Sequence, residues 1–473
     1  MKRGSFPGVL AGMTDDIDSV VLAGLVAQVD GPVVTPGDEG YAAETFTWNL
    51  GFLQTPAVSV GATSAADVRA AVRFAAAQGL PVAVVATGHG PMSAADGAVL
   101  INVRRLTGCV IDGQLRTATV GAATEWQDVV EAAAREGLAP LVGSSPNVGV
   151  VGYTIGGGVS PLLGRSYGYA SDHVSSVEIV TPDGVLRTAA PDEEPGLFWA
   201  VRGGKSNFGV VTSMTFDLMP VTRFYGGGIY FSAEAAPAVL AEFRRLVALD
   251  DERLTVSFAF LRLPPLPFVP EPLRGRVTAH VRVAFLGAAA EGADLVAGLR
   301  SIGEILVDAC AEMPFTAFAS VHNDPVDPIP AYERTALLSS FPAQAAEALV
   351  EAAGAGVDTP VLMVEVRQLG GALAHEPAVS SAISHRDAPF CLLVATAGGP
   401  GEGDLLGAPL EAILQAMKPW DHGGTLVNFQ KDSDAAPDRV ATAYSPDTYK
   451  RLLDAKRQYD PLDLFRVNHT LSV

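Results

Sequence analysis

Five glycines within ten residues, Gly149, Gly152, Gly156, Gly157 and Gly158, form the densest chemical signal in this chain. Such density suits a backbone pressed against a flat or anionic ligand, where side chains would intrude. Consecutive N–H groups in a loop of this kind can cradle a diphosphate. The competing reading is close packing in a crowded sheet. Two better-known phosphate motifs fail here. A dinucleotide fingerprint needs G-x-G-x-x-G directly after a strand, and the spacing does not match. Gly204-Lys205-Ser206 has the tail of a P-loop, but Trp199 stands where its leading glycine belongs, so the pair reads as a turn cap. A second glycine-flanked turn, Thr87-Gly88-His89-Gly90-Pro91, presents one imidazole.

The elements around these residues place them on loops at strand ends. Ser64-Ala65-Ala66-Asp67 resembles an N-terminal capping box, with Val68, Ala71, Val72 and Ala75 on one helical face and Gly79 and Pro81 as stops. Val82 to Ala86 then reads as a buried strand running into the His89 turn. Further strands are expected at 99–103, 117–120, 174–181 and 210–218, with a helix at 125–136. After Pro220 the pattern changes to alternation. Leu254, Val256, Phe258 and Phe260 alternate with Thr255, Ser257 and Ala259; Val277 to Phe285 alternate with Thr278, His280 and Arg282; Leu362, Val364 and Val366 alternate with Met363, Glu365 and Arg367. Period two with one mixed face predicts antiparallel strands lying on helices near 233–248, 289–302, 341–355 and 405–417. The segment 322–330 reads as a surface loop. Thr425 to Phe429 is expected as a strand and Pro446 to Gln458 as a helix.

Composition limits the partners. The 473 residues carry 52 acidic against 32 basic side chains, a formal net charge of −20 without an acidic tail. That field repels phosphate backbones, which argues against nucleic acid. No apolar run reaches the ~20 residues a spanning helix needs, and residues 8–13 are too short for a signal-peptide core. Cys109, Cys310 and Cys391 are widely separated in apolar surroundings, as reduced buried thiols would be, and the expected location is cytoplasmic. His173, His322, His375, His422 and His469 lack metal spacing and read as surface or hydrogen-bonded structural histidines; no metal is expected.

Taken together, these stretches resemble the FAD-linked oxidases of the vanillyl-alcohol oxidase superfamily, specifically the berberine bridge enzyme-like branch. The resemblance runs through Pro36–Tyr41, Trp48-Asn49, Thr87-Gly88-His89, the 143–158 stretch, Asp183-Gly184 and Leu197–Gly204. It resumes at Val364–Arg367 before Gly370-Gly371, at Val427-Asn428-Phe429, and at Tyr459-Asp460-Pro461 with Phe465 and Asn468. It thus covers nearly the whole chain, in order.

The resemblance implies an α+β protein: a PCMH-type FAD-binding domain built from both chain ends, and an antiparallel-sheet substrate domain covered by helices. The expected division is a helical lead-in (1–35), the FAD domain (36–220), the substrate domain (221–420) and a returning segment (421–473). His89 matches the histidine bonded to the 8α-methyl of the flavin. A neutral imidazole on such a turn can attack that electrophilic methyl, and the tether retains the cofactor. Cofactor contacts are implied for Ala86, Thr87, Gly88, Gly90, Pro91 and Met92 around the pyrophosphate. Ser145, Gly149, Gly152, Tyr153, Gly156 and Gly157 should run beside the flavin, and the strand at Ile179 should meet the adenine. Asn428, Phe429 and Asn468 complete the set. Many members carry a second, cysteinyl tether; here that place is Ser145, so attachment should be single.

The expected activity is oxidation of an alcohol, amine or activated C–H of a small molecule, as in sugar oxidation or tailoring of a secondary metabolite. Hydride passes to flavin N5 and dioxygen accepts the electrons, in a monomer or homodimer. Some relatives use the same pocket for cyclisation or another non-redox rearrangement, which is the alternative, and a degenerate binding protein is a third. Hydride transfer needs a base for the O–H or N–H proton. After His385-Arg386 the strand Cys391–Val394 is apolar, so no base carries over from it. The candidates are Glu365 or His280, with Arg367 as an anion anchor, and Tyr153 or Tyr444; for the strand residues a solvated face or a salt bridge competes.

Overall fold

The computed structural model describes residues 17–90 and 94–472. Pro91 and Met92 therefore lie outside the described residues. Three sheets organise the described residues. The first has β1 (Val33–Val34), β2 (Val58–Gly61), β3 (Val82–Val85) and β4 (Val99–Asn102) in the order β1-β2-β4-β3. The second has β5 (Cys109–Asp112), β6 (Thr117–Gly121), β7 (Val174–Val180), β8 (Leu186–Ala189) and β9 (Val210–Asp217) in the order β5-β6-β9-β7-β8.

The third is antiparallel throughout. It comprises β10 (Arg223–Ser232), β11 (Leu254–Arg262), β12 (Val277–Phe285), β13 (Ile305–Asp308), β14 (Ala311–Pro314), β15 (Ala331–Leu338), β16 (Met363–Gln368) and β17 (Phe390–Ala397). Its order is β13-β10-β12-β11-β16-β17-β15, with β14 also on β10. One face is apolar: Ile229, Phe258, Val281, Val364 and Leu392 bury themselves with Leu240, Leu349 and Leu410 from the helices Ala236–Val247, Ala343–Ala353 and Gly403–Ala416. The alternation read from the sequence is the pleat of this sheet, one set of side chains facing helices and the other facing away.

Local signals hold where expected. Ser64 Oγ accepts the Asp67 N–H at 3.2 Å and starts the helix Ala65–Gln78, and Gly79, at φ +65°, ends it. The C-terminal helix Pro446–Tyr459 lies against the first part of the chain. Lys456 Nζ, fully buried, meets Asp460 at 2.7 Å and donates to the Asn207 and Phe465 carbonyls.

Several expectations are corrected. Thr425 to Phe429 is not a strand; Val427–Phe429 is a 3-10 turn. A five-residue apolar run does not fix its own period, and this turn instead aims Asn428 at the glycine segment. The helix expected at 289–302 is two, Ala289–Leu295 and Ala297–Arg300, with Val296 between them. The 322–330 loop begins with a buried residue, His322. Cys310 and Cys391 are buried and Cys109 half-buried; all three are free thiols.

Candidate active site

The His89 turn is shaped by its neighbours. Gly88 has φ +75°, and a Cβ there would lie 2.6 Å from Thr47 Cβ, so both conformation and space require glycine. The segment before it runs alongside: Trp48 N–H donates to the Thr87 carbonyl at 3.0 Å, which stacks the indole on His89 at 4.2 Å between centroids. Thr87 Oγ1 lies 3.0 Å from His89 Nδ1, and Asn147 Oδ1 lies 3.1 Å from Nε2. Asn147 Oδ1 can only accept, and Ser145 Oγ also donates to it at 2.7 Å. The network therefore puts the imidazole proton on Nε2 and leaves the Nδ1 lone pair facing the Thr87 hydroxyl. Burial pushes the His89 pKa down to about 4, against the opposing effect of the hydrogen bond it donates to Asn147, so the ring is neutral at neutral pH.

The glycine segment divides in two. Among the described residues a Cβ on Gly152, or on Gly90 in the His89 turn, would meet nothing within 4 Å, and one on Gly149 would meet only ordinary contacts with Thr87 and Ala86. At Gly156 and Gly157 it would come within 2.7 Å of Asn428 Nδ2 and 2.9 Å of Ile383 Cδ1, so close packing accounts for those two. Asn428 staples this segment: its Oδ1 accepts the Gly158 N–H at 2.7 Å and its Nδ2 donates to the Tyr153 carbonyl at 2.9 Å. Tyr153 Oη and Asn468 Oδ1 are buried without a partner among the described residues. Register between β7 and β9 slips between Glu178 and Ile179, which takes backbone out of the ladder where adenine is expected. Open glycine surface, orphaned polar atoms and a neutral imidazole together fit a flavin dinucleotide.

The polar face of the third sheet looks toward this segment. Register places Arg282 opposite Ser257 and Ser257 opposite Arg367; one step along, His280, Ala259 and Glu365 align. Because Ser257 and Ala259 are small, side chains of β12 and β16 meet across β11. Arg282 Nη1 is 3.0 Å from Glu365 Oε1, and Arg367 Nη2 is 3.0 Å from Oε2. All three side chains are largely buried. Burial alone would raise the Glu365 pKa, but Arg367 and Arg282 overrule it and hold the carboxyl well below the usual range. Both of its oxygens are taken up by those two guanidinium groups.

His322 enters the same cluster from the loop after the 3-10 helix Phe315–Val321, its Nε2 3.9 Å from Glu365 Oε1. Neither ring nitrogen has a hydrogen-bond partner among the described residues. Burial, reinforced by Arg282, keeps it neutral. A narrow crevice lies here, lined by Thr255, Ser257, Arg282 and Arg367 from the sheet, by His322, and by Pro161, just past the glycine segment.

The other base candidates fall elsewhere. His280 does not line the crevice; it stacks on Tyr230 at 3.8 Å and fills the space above Gly228, where a Cβ would lie 2.1 Å from its Nε2. Tyr444 donates its hydroxyl to the Gly203 carbonyl at 3.0 Å and is a packing residue. Tyr153 packs edge-on to Trp126, and burial raises its phenol pKa, so it stays protonated. Phe429 sits 6.0 Å from the Arg367 guanidinium, which it flanks. The sequence reading gave His322 a surface or hydrogen-bonded structural role and did not single out Asn147; His322 is instead buried with no hydrogen-bond partner among the described residues. The Pro- and Asp-rich run after His322 suggested a surface loop, and Asn147 carries no periodic signal.

The comparisons agree with this geometry. A family model described as FAD binding domain matches residues 56–190, and one described as berberine and berberine like matches 426–472. The chain is 29% identical over 456 residues to (R)-6-hydroxynicotine oxidase of Paenarthrobacter nicotinovorans, covering 94% of this chain and 97% of that one. It superposes on the crystal structure of 6-hydroxy-D-nicotine oxidase from Arthrobacter nicotinovorans with a TM-score of 0.80 at 27% identity, covering 94% and 98% of the two chains. The fold is also that of chitooligosaccharide oxidase, at TM-score 0.81 and 18% identity over 96% and 99%. The chain is an enzyme, an FAD-linked oxidoreductase, and it resembles the berberine bridge enzyme-like oxidases.

Proposed function

We propose that the protein oxidises a small organic molecule with FAD bonded to His89 Nδ1, and that dioxygen takes the electrons. In this reading residues 36–220 and 421–473 hold the cofactor and residues 221–420 supply the substrate face. When bound, FAD supplies a two-electron acceptor that takes hydride at N5. The observation carrying the reading is the neutral His89 ring, its proton fixed on Nε2 by Asn147 and its turn edged by open glycine surface. Ser145 has no thiol, which supports a single linkage. Trp48 holds the ring plane, and Asn428 holds the glycine segment.

The proton of the substrate O–H or N–H goes to His322 Nδ1. Its Nε2 faces Glu365, which would stabilise the imidazolium formed and is itself kept ionised by two arginines. Glu365 thus positions Arg282, Arg367 and His322 without accepting the proton. Purified yellow protein should be bleached by a substrate under anaerobic conditions and regain its colour in air, releasing peroxide. Air that fails to reoxidise dithionite-reduced protein would remove dioxygen from the reading; absence of any retained flavin would remove the reading itself.

A further inference from the structure

The buried cluster carries more positive charge than it neutralises. Two guanidinium groups, Arg282 and Arg367, share one carboxylate, Glu365, and both nearby imidazoles, His280 and His322, are neutral. The other charges in reach do not alter this. Asp324 is half-exposed, where water screens it, and Lys431 is spent on Glu333. Burying an uncompensated charge is costly, so a site keeps one when a ligand arrives to match it.

Hydrogen bonding says the same. Arg367 gives Nε and Nη2 to Glu365, at 3.3 and 3.0 Å. Arg282 Nε, Ser257 Oγ and both ring nitrogens of His322 are buried and have no partner among the described residues. Buried polar atoms in native proteins are nearly always paired, so a set of orphans around one crevice marks where a ligand completes them. A carboxylate offers about four acceptor sites and a negative charge, which suits a guanidinium flanked by a hydroxyl. A cationic amine would meet net repulsion here, and a neutral sugar would leave the excess charge in place.

We propose that the substrate is a small organic acid whose carboxylate sits on Arg282 with Ser257, and whose oxidisable C–H bears the hydroxyl or amino group that meets His322. This rests on the oxidase reading for the chemistry but not for the binding.

The test uses the purified protein with its flavin. Glycolate, lactate and mandelate are titrated against glycolamide, lactamide and mandelamide, following the visible flavin band and the melting temperature. At least one acid should bind saturably and raise the melting temperature, with its amide at least about tenfold weaker. Arg282→Gln should erase that preference, and Arg282→Lys should keep part of it. Amides matching the acids, or no acid binding at all, would overturn the proposal while a flavin that stays on acid-precipitated protein left the oxidase reading standing. Acid binding to protein lacking flavin would do the reverse. The comparison of acid with amide needs no variant, so misfolding of Arg282→Gln would not obscure it.

Discussion

Two histidines share one physical device, burial that keeps an imidazole neutral, and use it for different ends. His89 sits on a glycine-flanked turn with its Nδ1 against the Thr87 hydroxyl; His322 lines the crevice beside the sheet. His89→Ala should leave a protein whose yellow colour is lost to the supernatant on acid precipitation, whereas the unaltered chain should keep it; intact-mass measurement distinguishes the two. His322→Gln should retain bound flavin and lower kcat by roughly a hundredfold or more, the usual share of a general base. Because His322 acts unprotonated and its pKa is pushed below 6.5, kcat/KM should be flat near neutrality and fall only in acid. The Gln variant should lose that acidic limb.

At the scale of elements, β11 works by carrying small side chains on one face. Ser257 and Ala259 leave the gap through which β12 and β16 join their charges. Ala259→Leu would fill it, adding strain and separating Arg282 from Glu365. We expect a loss of about 3 kcal/mol or more in urea unfolding, the scale seen when one partner of a buried pair is removed. The 3-10 turn Val427–Phe429 has a comparable duty, since Asn428 makes two side-chain hydrogen bonds to the glycine segment. Asn428→Ala should weaken flavin incorporation during expression more than it lowers the melting temperature, which the ratio of flavin to protein absorbance would report.

Across the whole molecule, the buried histidines set an acid limit. His280 and His322 are held well below 6.5, and His469 is pushed down to about 3 by burial and by Lys205. Between pH 6.5 and those values the unfolded chain binds more protons than the folded one. The stability they contribute is therefore complete above pH 6.5 and is lost as pH falls. Each adds a slope of about 1.4 kcal/mol per pH unit within its window. Melting temperature should drop on acidification from 6.5 toward 4, and His280→Leu, which removes a titrating ring away from the crevice, should shallow that drop. No helix among the described residues is long and apolar enough to cross a membrane.

The sequence alone determined what is written in local patterns. Capping at Ser64, the stop at Gly79, the alternation along β11, β12 and β16, and the glycine turn at His89 depend on near neighbours, so spacing reveals them. It also identified the residues that share a face, Arg282 with His280 and Glu365 with Arg367, because a pleat has a period of two. Only the tertiary structure decided which of them act together. Strand order is set by contacts far apart in the chain, and it alone brings Arg282 across β11 to Glu365 and sends His280 under Tyr230. The surroundings of His322 and Asn147 could not be read from the sequence for the same reason. Each sits in an irregular segment, and its chemistry comes from what folding buries beside it rather than from any pattern of its own.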